Sequence, residues 1–189
     1  MDDYPLQRPS VIAKDFLWHQ QITATVDGKR IGFQAFVGKE GDTLTVIGLS
    51  PIGSSWFELV QRGLDVDYWS VVPDALPLPP RYVLGDIQRA YFPVSSDPSP
   101  QAGTRTVTLG GVEVTESWKD GELRERRFRD LHDGASGGVI VRYPPSAPGS
   151  REPRIVIVEN ARFGYVLEIS TVDQATRSGE RSRNDATPH

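Results

Sequence analysis

The sequence contains no cysteine. Disulfides, thiolate nucleophiles and cysteine-based metal sites are therefore excluded. The three histidines, His19, His132 and His189, are dispersed, and their spacing suggests no metal site. No glycine-rich loop of the phosphate-cradling kind is present, and no cofactor is expected. No apolar run is long enough to read as a membrane-spanning helix. Lysine is scarce, with four residues, and the formal net charge is −4 at a pI of about 5.4. Neither a nucleic-acid footprint nor a polybasic membrane patch follows from that balance. The first residues, Met1-Asp2-Asp3-Tyr4-Pro5, are acidic and lack the apolar core of a signal peptide. Two expectations remain: a cytosolic protein, or a chain from which an export sequence has been removed.

A chain of 189 residues suits one domain with a sizeable core. Residues 1–14 read as an extended arm. Phe16 to Val26 alternates, and Asp27-Gly28 is a strong hairpin signal. The return strand carries Ile31, Phe33, Ala35 and Val37. Thr43 to Leu49, Trp56 to Gln61 and Leu64 to Trp69 complete a five-stranded antiparallel meander. Within it, the turn Ser50-Pro51-Ile52-Gly53 places an apolar side chain, Ile52, where water is expected. Either Ile52 folds back on the sheet or it contacts something apolar outside the protein.

The texture changes at Pro73. Pro73 to Pro80 cannot form a central strand, because proline lacks the ladder donor. Arg81 to Phe92 is the one convincing helix, bounded by Pro80 and Pro93. Val83, Leu84, Ile87 and Tyr91 fall on one face, with Asp86 and Arg89 away from it. A lone amphipathic helix in an all-β chain is expected to be a lid or a plug, with Pro73–Pro80 and Pro93–Thr104 as hinges if it moves. Ser95 to Thr104 reads as a mobile loop. Further strands are expected at Thr106–Leu109, Val112–Trp118, Leu123–Arg129, Val139–Tyr143, Ile155–Val158 and Phe163–Ile169, with Asp120-Gly121 as another hairpin. Arg124, Arg126, Arg127 and Arg129 read as a solvated strand face paired with Glu122 and Glu125. From Asp173 onward the chain is polar, unpatterned and expected to be disordered.

Catalysis is poorly supported. Gly134-Ala135-Ser136-Gly137-Gly138 matches the string of a nucleophile elbow, but that motif follows a buried strand and opens a helix. Here a polar segment precedes it and a strand follows. His132 and Asp133 are adjacent in sequence, unlike the members of a triad. Asp65 and Asp67 share a strand face, which a solvated edge explains as well as a carboxylate pair does. No enzymatic activity is expected.

About eleven antiparallel strands exceed what a flat sheet holds, so the fold class expected is mainly β, a sheet curled into a barrel or half-barrel. Trp18, Phe33, Trp56, Phe57, Tyr68, Trp69, Phe163 and Tyr165 either line a concave apolar interior or fill a packed core; both readings stand.

The chain resembles the LolB-like outer-membrane lipoproteins, most closely a short bacterial family within that group. The resemblance is carried by Leu49-Ser50-Pro51-Ile52-Gly53-Ser54 with Trp56-Phe57-Glu58-Leu59, by Val83-Leu84-Gly85-Asp86-Ile87-Gln88 with Tyr91-Phe92-Pro93, and by Ile155 to Asn160 with Gly164 to Ile169. It extends over residues 15–172, leaving 173–189 as a tail. It implies a LolA/LolB-like half-barrel around helices, with an apolar cavity for acyl chains. Residues placed at that cavity are Trp18, Phe33, Val46, Trp56, Leu59, Tyr68, Val83, Leu84, Ile87, Tyr91, Tyr165 and Leu167. In LolB a leucine in a Pro-Leu-Gly turn projects to solvent and serves membrane insertion of the cargo; Pro51, Ile52 and Gly53 stand on those positions.

The resemblance further implies a periplasmic carrier or acceptor at the inner face of the outer membrane. Its expected partners are an acyl lipid or lipoprotein cargo, a LolA-like periplasmic donor and, peripherally, the membrane. A monomer without nucleic acid is expected. Members of the short family often lie beside genes for lipid or polyene synthesis, so the cargo could be a specialised lipid. Two departures matter: no cysteine is available for a lipobox, and the segment before Phe16 is too short and proline-broken for the long first helix of LolB. The competing expectations are an envelope assembly protein with a filled core, and a hydrolase using Ser136.

Overall fold

The structure is a computed structural model, and it describes residues 5–50, 52–71, 80–132, 138–145 and 155–176. The strands are β1 (Phe16–Val26), β2 (Lys29–Glu40), β3 (Thr43–Leu49), β4 (Ser55–Arg62), β5 (Asp65–Ser70), β6 (Gly103–Leu109), β7 (Val112–Lys119), β8 (Glu122–Asp130), β9 (Val139–Arg142), β10 (Ile155–Asn160) and β11 (Tyr165–Thr176). Helix α1 (Pro80–Tyr91) lies between β5 and β6 in sequence. All strands form one antiparallel sheet in the order β5-β4-β3-β2-β1-β11-β10-β9-β8-β7-β6. Two meanders are thus joined where β1 pairs with β11, and β5 and β6 are left as edges. Among the described residues the sheet is open and does not close into a barrel.

Local chemistry accounts for the turns. Asp27 and Gly28 have φ of 49° and 73°, and Asp120 and Gly121 have φ of 56° and 74°. Two successive left-handed residues are what a two-residue hairpin with the natural strand twist requires. The long strands β1 and β11 pair from Phe16↔Thr176 to Val26↔Tyr165, with a bulge between His19 and Gln20. That pairing carries β11 to Thr176, beyond the point where the polar sequence suggested the end of order. β6 likewise begins at Gly103, inside the stretch expected to be loop.

The concave face holds two apolar clusters. One gathers Leu44, Val46, Phe57 and Leu59 of the first meander with Leu84, Ile87 and Phe92. The other gathers Val112, Val114, Phe128, Val141, Val156 and Ile169 of the second meander with Ala90. The sheet therefore wraps the helix, which is a plug. All seven residues from Leu84 to Ala90 are buried. Asp86 and Arg89, expected away from the apolar stripe, are buried as well: sheet encloses the helix on both sides, so its polar face is internal too.

Phe57 lies over Gly48 across the β3–β4 ladder. A Cβ added to Gly48 would fall 2.1 Å from Phe57 Cε1, and Phe57 is 2% exposed, so the ring has nowhere to go. Gly48→Ala is expected to destabilise the fold by about 1–3 kcal/mol through overpacking, read as a lower urea midpoint at unchanged slope.

The N-terminal segment is docked. Leu6 is buried in the first cluster. Gln88 Oε1 accepts from the Gln7 amide at 2.7 Å, and Gln88 Nε2 donates to Gln7 O at 2.9 Å. Gln61 Nε2 donates to Gln7 O at 2.8 Å. Pro5 seats on Gly110, where an added Cβ would meet Pro5 Cγ at 2.7 Å. Arg8 donates to Asp42 Oδ2 from Nε at 3.0 Å and Nη2 at 2.6 Å. The segment thus ties the β6–β7 turn to the β2–β3 turn. Hydrogen bonds from Arg8, then Ser10, hold the Asp42 carboxyl at about 2, below its ordinary 3.8. A depressed carboxyl contributes above its unfolded pKa and stops contributing as pH falls through the folded one. Docking is expected to be complete above about pH 4 and to loosen as pH falls toward 2. Faster exchange of the Ser10 amide, which donates to Asp42 Oδ1 at 3.1 Å, reports it, and Asp42→Asn should give the fast exchange at neutral pH.

Candidate functional site

A cleft of about 1000 Å³ opens at the C-terminal end of α1. It lies between the start of β1, the end of β11 and the β7–β8 hairpin. Its volume is at the upper end of the range for small-molecule sites, roughly 300–1,000 Å³. Phe16 and Trp18 enter from β1, Tyr91 from the helix, and Trp118 and Leu123 from the hairpin. The Phe16 and Trp18 rings stack with centroids 3.8 Å apart, and Trp18 tilts against Tyr91 at 4.8 Å. Tyr91 is fixed from behind, its hydroxyl accepting from Gln20 Nε2 at 3.1 Å. Burial, then Tyr143, raises its phenol above the usual range. The wall is therefore a preset aromatic surface with a neutral hydroxyl.

Among the charged residues of the lining, Arg126 is the buried one. Arg126 is 7% exposed and lines the cleft. Its Nε donates to Glu116 Oε1 at 2.9 Å, and its Nη1 donates to the carbonyls of Arg89 and Phe92 at 2.9 and 2.8 Å. Tyr143 adds a hydrogen bond to Ala90 O at 2.7 Å. The last carbonyls of α1 are thus satisfied from β8 and from the residue after β9, and a cation sits at the negative end of the helix. Glu116 is fully buried. Its Oε2 accepts from Arg105 Nη2 at 2.5 Å and from Trp118 Nε1 at 3.2 Å. The arginine face of β8 is accordingly corrected at one residue. Arg124 and Arg127 pair with Glu122 and Glu125 as expected, whereas Arg126 points inward. The signal was present in the alternation: Arg126 shares a face with Phe128, and its register partner Glu116 shares one with Val112 and Val114.

A second polar group anchors the middle of the helix. Arg89 Nη1 donates to Asp86 Oδ1 at 2.9 Å, both side chains being 3% exposed. Tyr165 donates its hydroxyl to Asp86 Oδ2, and Asn160 Nδ2 donates to that hydroxyl at 3.0 Å.

The twelve residues expected at one cavity divide among several places. Trp18 and Tyr91 line the cleft. Val46, Leu59, Leu84 and Ile87 are buried together in the first cluster, with Phe33, Trp56 and Val83 packed against it. Leu167 packs on the second cluster, Tyr165 is tied to Asp86, and Tyr68 is exposed on the edge strand β5. Of the turn, Pro51 lies outside the described residues, Gly53 has φ 83°, and Ile52 is 89% exposed at the tip. Because Phe16 pairs with Lys39 while Leu49 pairs with Gln34, this tip and the cleft are at opposite ends of β3, roughly 15–20 Å apart along the strand. Ser136 lies outside the described residues. Among the described residues no cluster of His, Asp and Glu could hold a metal ion, and no helix is long and apolar enough to cross a membrane.

A family model described as "Protein of unknown function (DUF3261)" matches residues 17–173. The chain belongs to the DUF3261 family. No curated protein matches the sequence. Among solved structures, this DUF3261 chain is similar to a LolA superfamily protein from Nitrosomonas europaea, with a TM-score of 0.53 at 13% identity over 92% of this chain and 94% of that one. It is also similar to a domain assigned to outer membrane lipoprotein sorting from Vibrio parahaemolyticus, with a TM-score of 0.50 at 12% identity over 93% and 94%. At these identities the likeness is one of fold: the open antiparallel sheet about a helix is of the LolA type.

Proposed function

We propose that this DUF3261 protein is a carrier or acceptor of acyl lipids or lipoproteins that binds its cargo without covalent chemistry, in the manner of LolB, at the periplasmic face of the outer membrane. The observation that carries the reading is the aromatic cleft at the end of α1, in a fold shared with a LolA superfamily protein and with a lipoprotein-sorting domain. An alkyl chain laid along Phe16, Trp18 and Tyr91 gains about 0.8 kcal/mol per methylene removed from water. Donor, cleft and membrane are all apolar, so the net drive per transfer is small and direction follows from relative affinity along the route. Cargo enters at the cleft and the helix stays seated, because releasing α1 would break the Tyr165 hydrogen bond to the buried Asp86 and those from Arg126 and Tyr143 to the last carbonyls of the helix. The exposed Ile52 is the point of membrane contact, and a LolA-like carrier is the donor.

Native mass spectrometry followed by solvent extraction tests this reading. A co-purified or added acyl lipid is expected on the protein, and Trp18→Ala should weaken its retention roughly tenfold, in line with an aromatic contact worth over 1 kcal/mol. A bare protein that takes up neither fatty acid nor phospholipid overturns the reading. That outcome favours an envelope assembly protein, for which the edge strand β5 speaks. It has no second partner strand among the described residues, and its Tyr68 and Trp69 are 41% and 55% exposed.

A further inference from the structure

The charges around the cleft do not cancel. Asp15 pairs with Lys39 at 2.8 Å, and Glu122 pairs with Arg124 at 2.6 Å. Lys14 and Asp120 remain at the rim with opposite signs. Glu116, by contrast, is shared between Arg105 and Arg126, so this buried group keeps one excess positive charge. The C-terminal end of α1 offsets about half of a charge, and the remainder is cationic. Arg126 is also incompletely used. Its Nε and Nη1 are engaged, while Nη2 donates to no described residue and is not sealed from solvent. Arg126, more than nine-tenths buried and with its guanidinium carbon 5.8 Å from the centre of the Tyr143 ring, lines a cleft walled by Trp18, Tyr91 and Trp118.

We propose that the cleft selects a single-chain amphiphile with an anionic head, a fatty-acid carboxylate in its simplest form, and that Arg126 Nη2 holds the head while the aromatic wall holds the chain. This rests on the carrier reading and narrows it. A charged acceptor meeting a charged donor in a partly desolvated cleft makes a stronger hydrogen bond than a neutral hydroxyl does. The carbonyls of α1 and the carboxylate of Glu116 fix the guanidinium plane, so the donor is already oriented before the ligand arrives.

The test titrates the purified full chain with palmitate and with palmityl alcohol, at neutral pH and below the aggregation limit of each, following tryptophan fluorescence. Trp18 and Trp118 line the cleft and report occupancy. Palmitate is expected to bind about tenfold more tightly than the alcohol. Arg126→Gln should bring that ratio toward one. Should this variant fail to fold, Arg126→Lys, which keeps the charge and loses the fork, should still lower the ratio. Equal affinity of the unaltered protein for acid and alcohol overturns the anionic head and leaves the carrier reading standing. Binding of neither overturns the carrier reading as well. A ratio unchanged in both Arg126 variants and lost in Lys14→Gln overturns the assignment to Arg126.

Discussion

Glu116→Ala is expected to lower folding stability by about 3–5 kcal/mol, the range for breaking a buried ion pair by removing one partner. The carboxylate is fully buried and accepts from Arg105, Arg126 and Trp118. Its loss leaves two guanidinium groups facing each other with their common counter-charge gone, in a setting where water cannot fully replace it. The consequence extends to the helix, because the Arg126 that caps Arg89 O and Phe92 O is oriented by Glu116. Glu116→Gln preserves the shape and one acceptor, so it should cost less than the alanine variant. Urea unfolding of the three proteins decides the matter. An unfolding free energy for Glu116→Ala within 0.5 kcal/mol of the parent's, the usual range for surface substitutions, would show that Glu116 is not the hub of this site. The cleft should also lose affinity for any ligand it holds, since its hairpin wall and helix end are joined through this carboxylate.

Most of the sheet was legible in the chain because strand chemistry is local. β1 and β3 have the bounds that alternation and Asp27-Gly28 or Leu49-Ser50 suggest. The extension of β11 from Asp173 to Thr176 was not legible, because it is mostly polar and its strand form comes from pairing with the start of β1. The helix was visible from its flanking prolines and apolar spacing. Its environment was only partly so: apolar spacing allowed a lid or a plug, and the burial of Asp86 and Arg89 opposite Leu84 shows only once the sheet is known to wrap the helix. The cleft was half legible. Trp18 and Tyr91 stand out as aromatics, but Leu123, Arg126 and Thr171 reach it from strands distant in sequence, brought there by the pairing of β1 with β11 and by the packing of β8 on the end of α1. Val46, Leu59 and Leu84 had the right hydrophobicity for either a lining or a filled core, and apolar pattern cannot separate the two. They are at 2%, 0% and 0% exposure in the core.

The second large effect is expected at Asp86. Asp86→Ala should destabilise the protein by about 3–5 kcal/mol, because it strands Arg89, which is 2% exposed, without its carboxylate. Tyr165→Phe removes a donor to that carboxylate and one acceptor of Asn160, and about 1–3 kcal/mol is expected for it. If the three groups act as one unit, the double variant Asp86→Ala, Tyr165→Phe should cost less than the sum of the single ones, since the phenol has no carboxylate left to serve. Additive costs would mean that helix and hairpin are held independently. The same unit predicts the alkaline limit of the fold. Burial, then Asp86, raises the Tyr165 phenol above its usual range, and burial, then Tyr143, does so for Tyr91. A group with a raised folded pKa lends its stability fully below the unfolded pKa and loses it as pH rises through the folded one. The contribution of these phenols should therefore be level below about pH 10 and fall above it, as phenols ionise in the unfolded chain first. In Tyr165→Phe that alkaline slope should flatten, because one of the two phenols raised above their usual range no longer contributes. A slope identical to the parent's would place the alkaline transition elsewhere in the protein and remove Tyr165 from it.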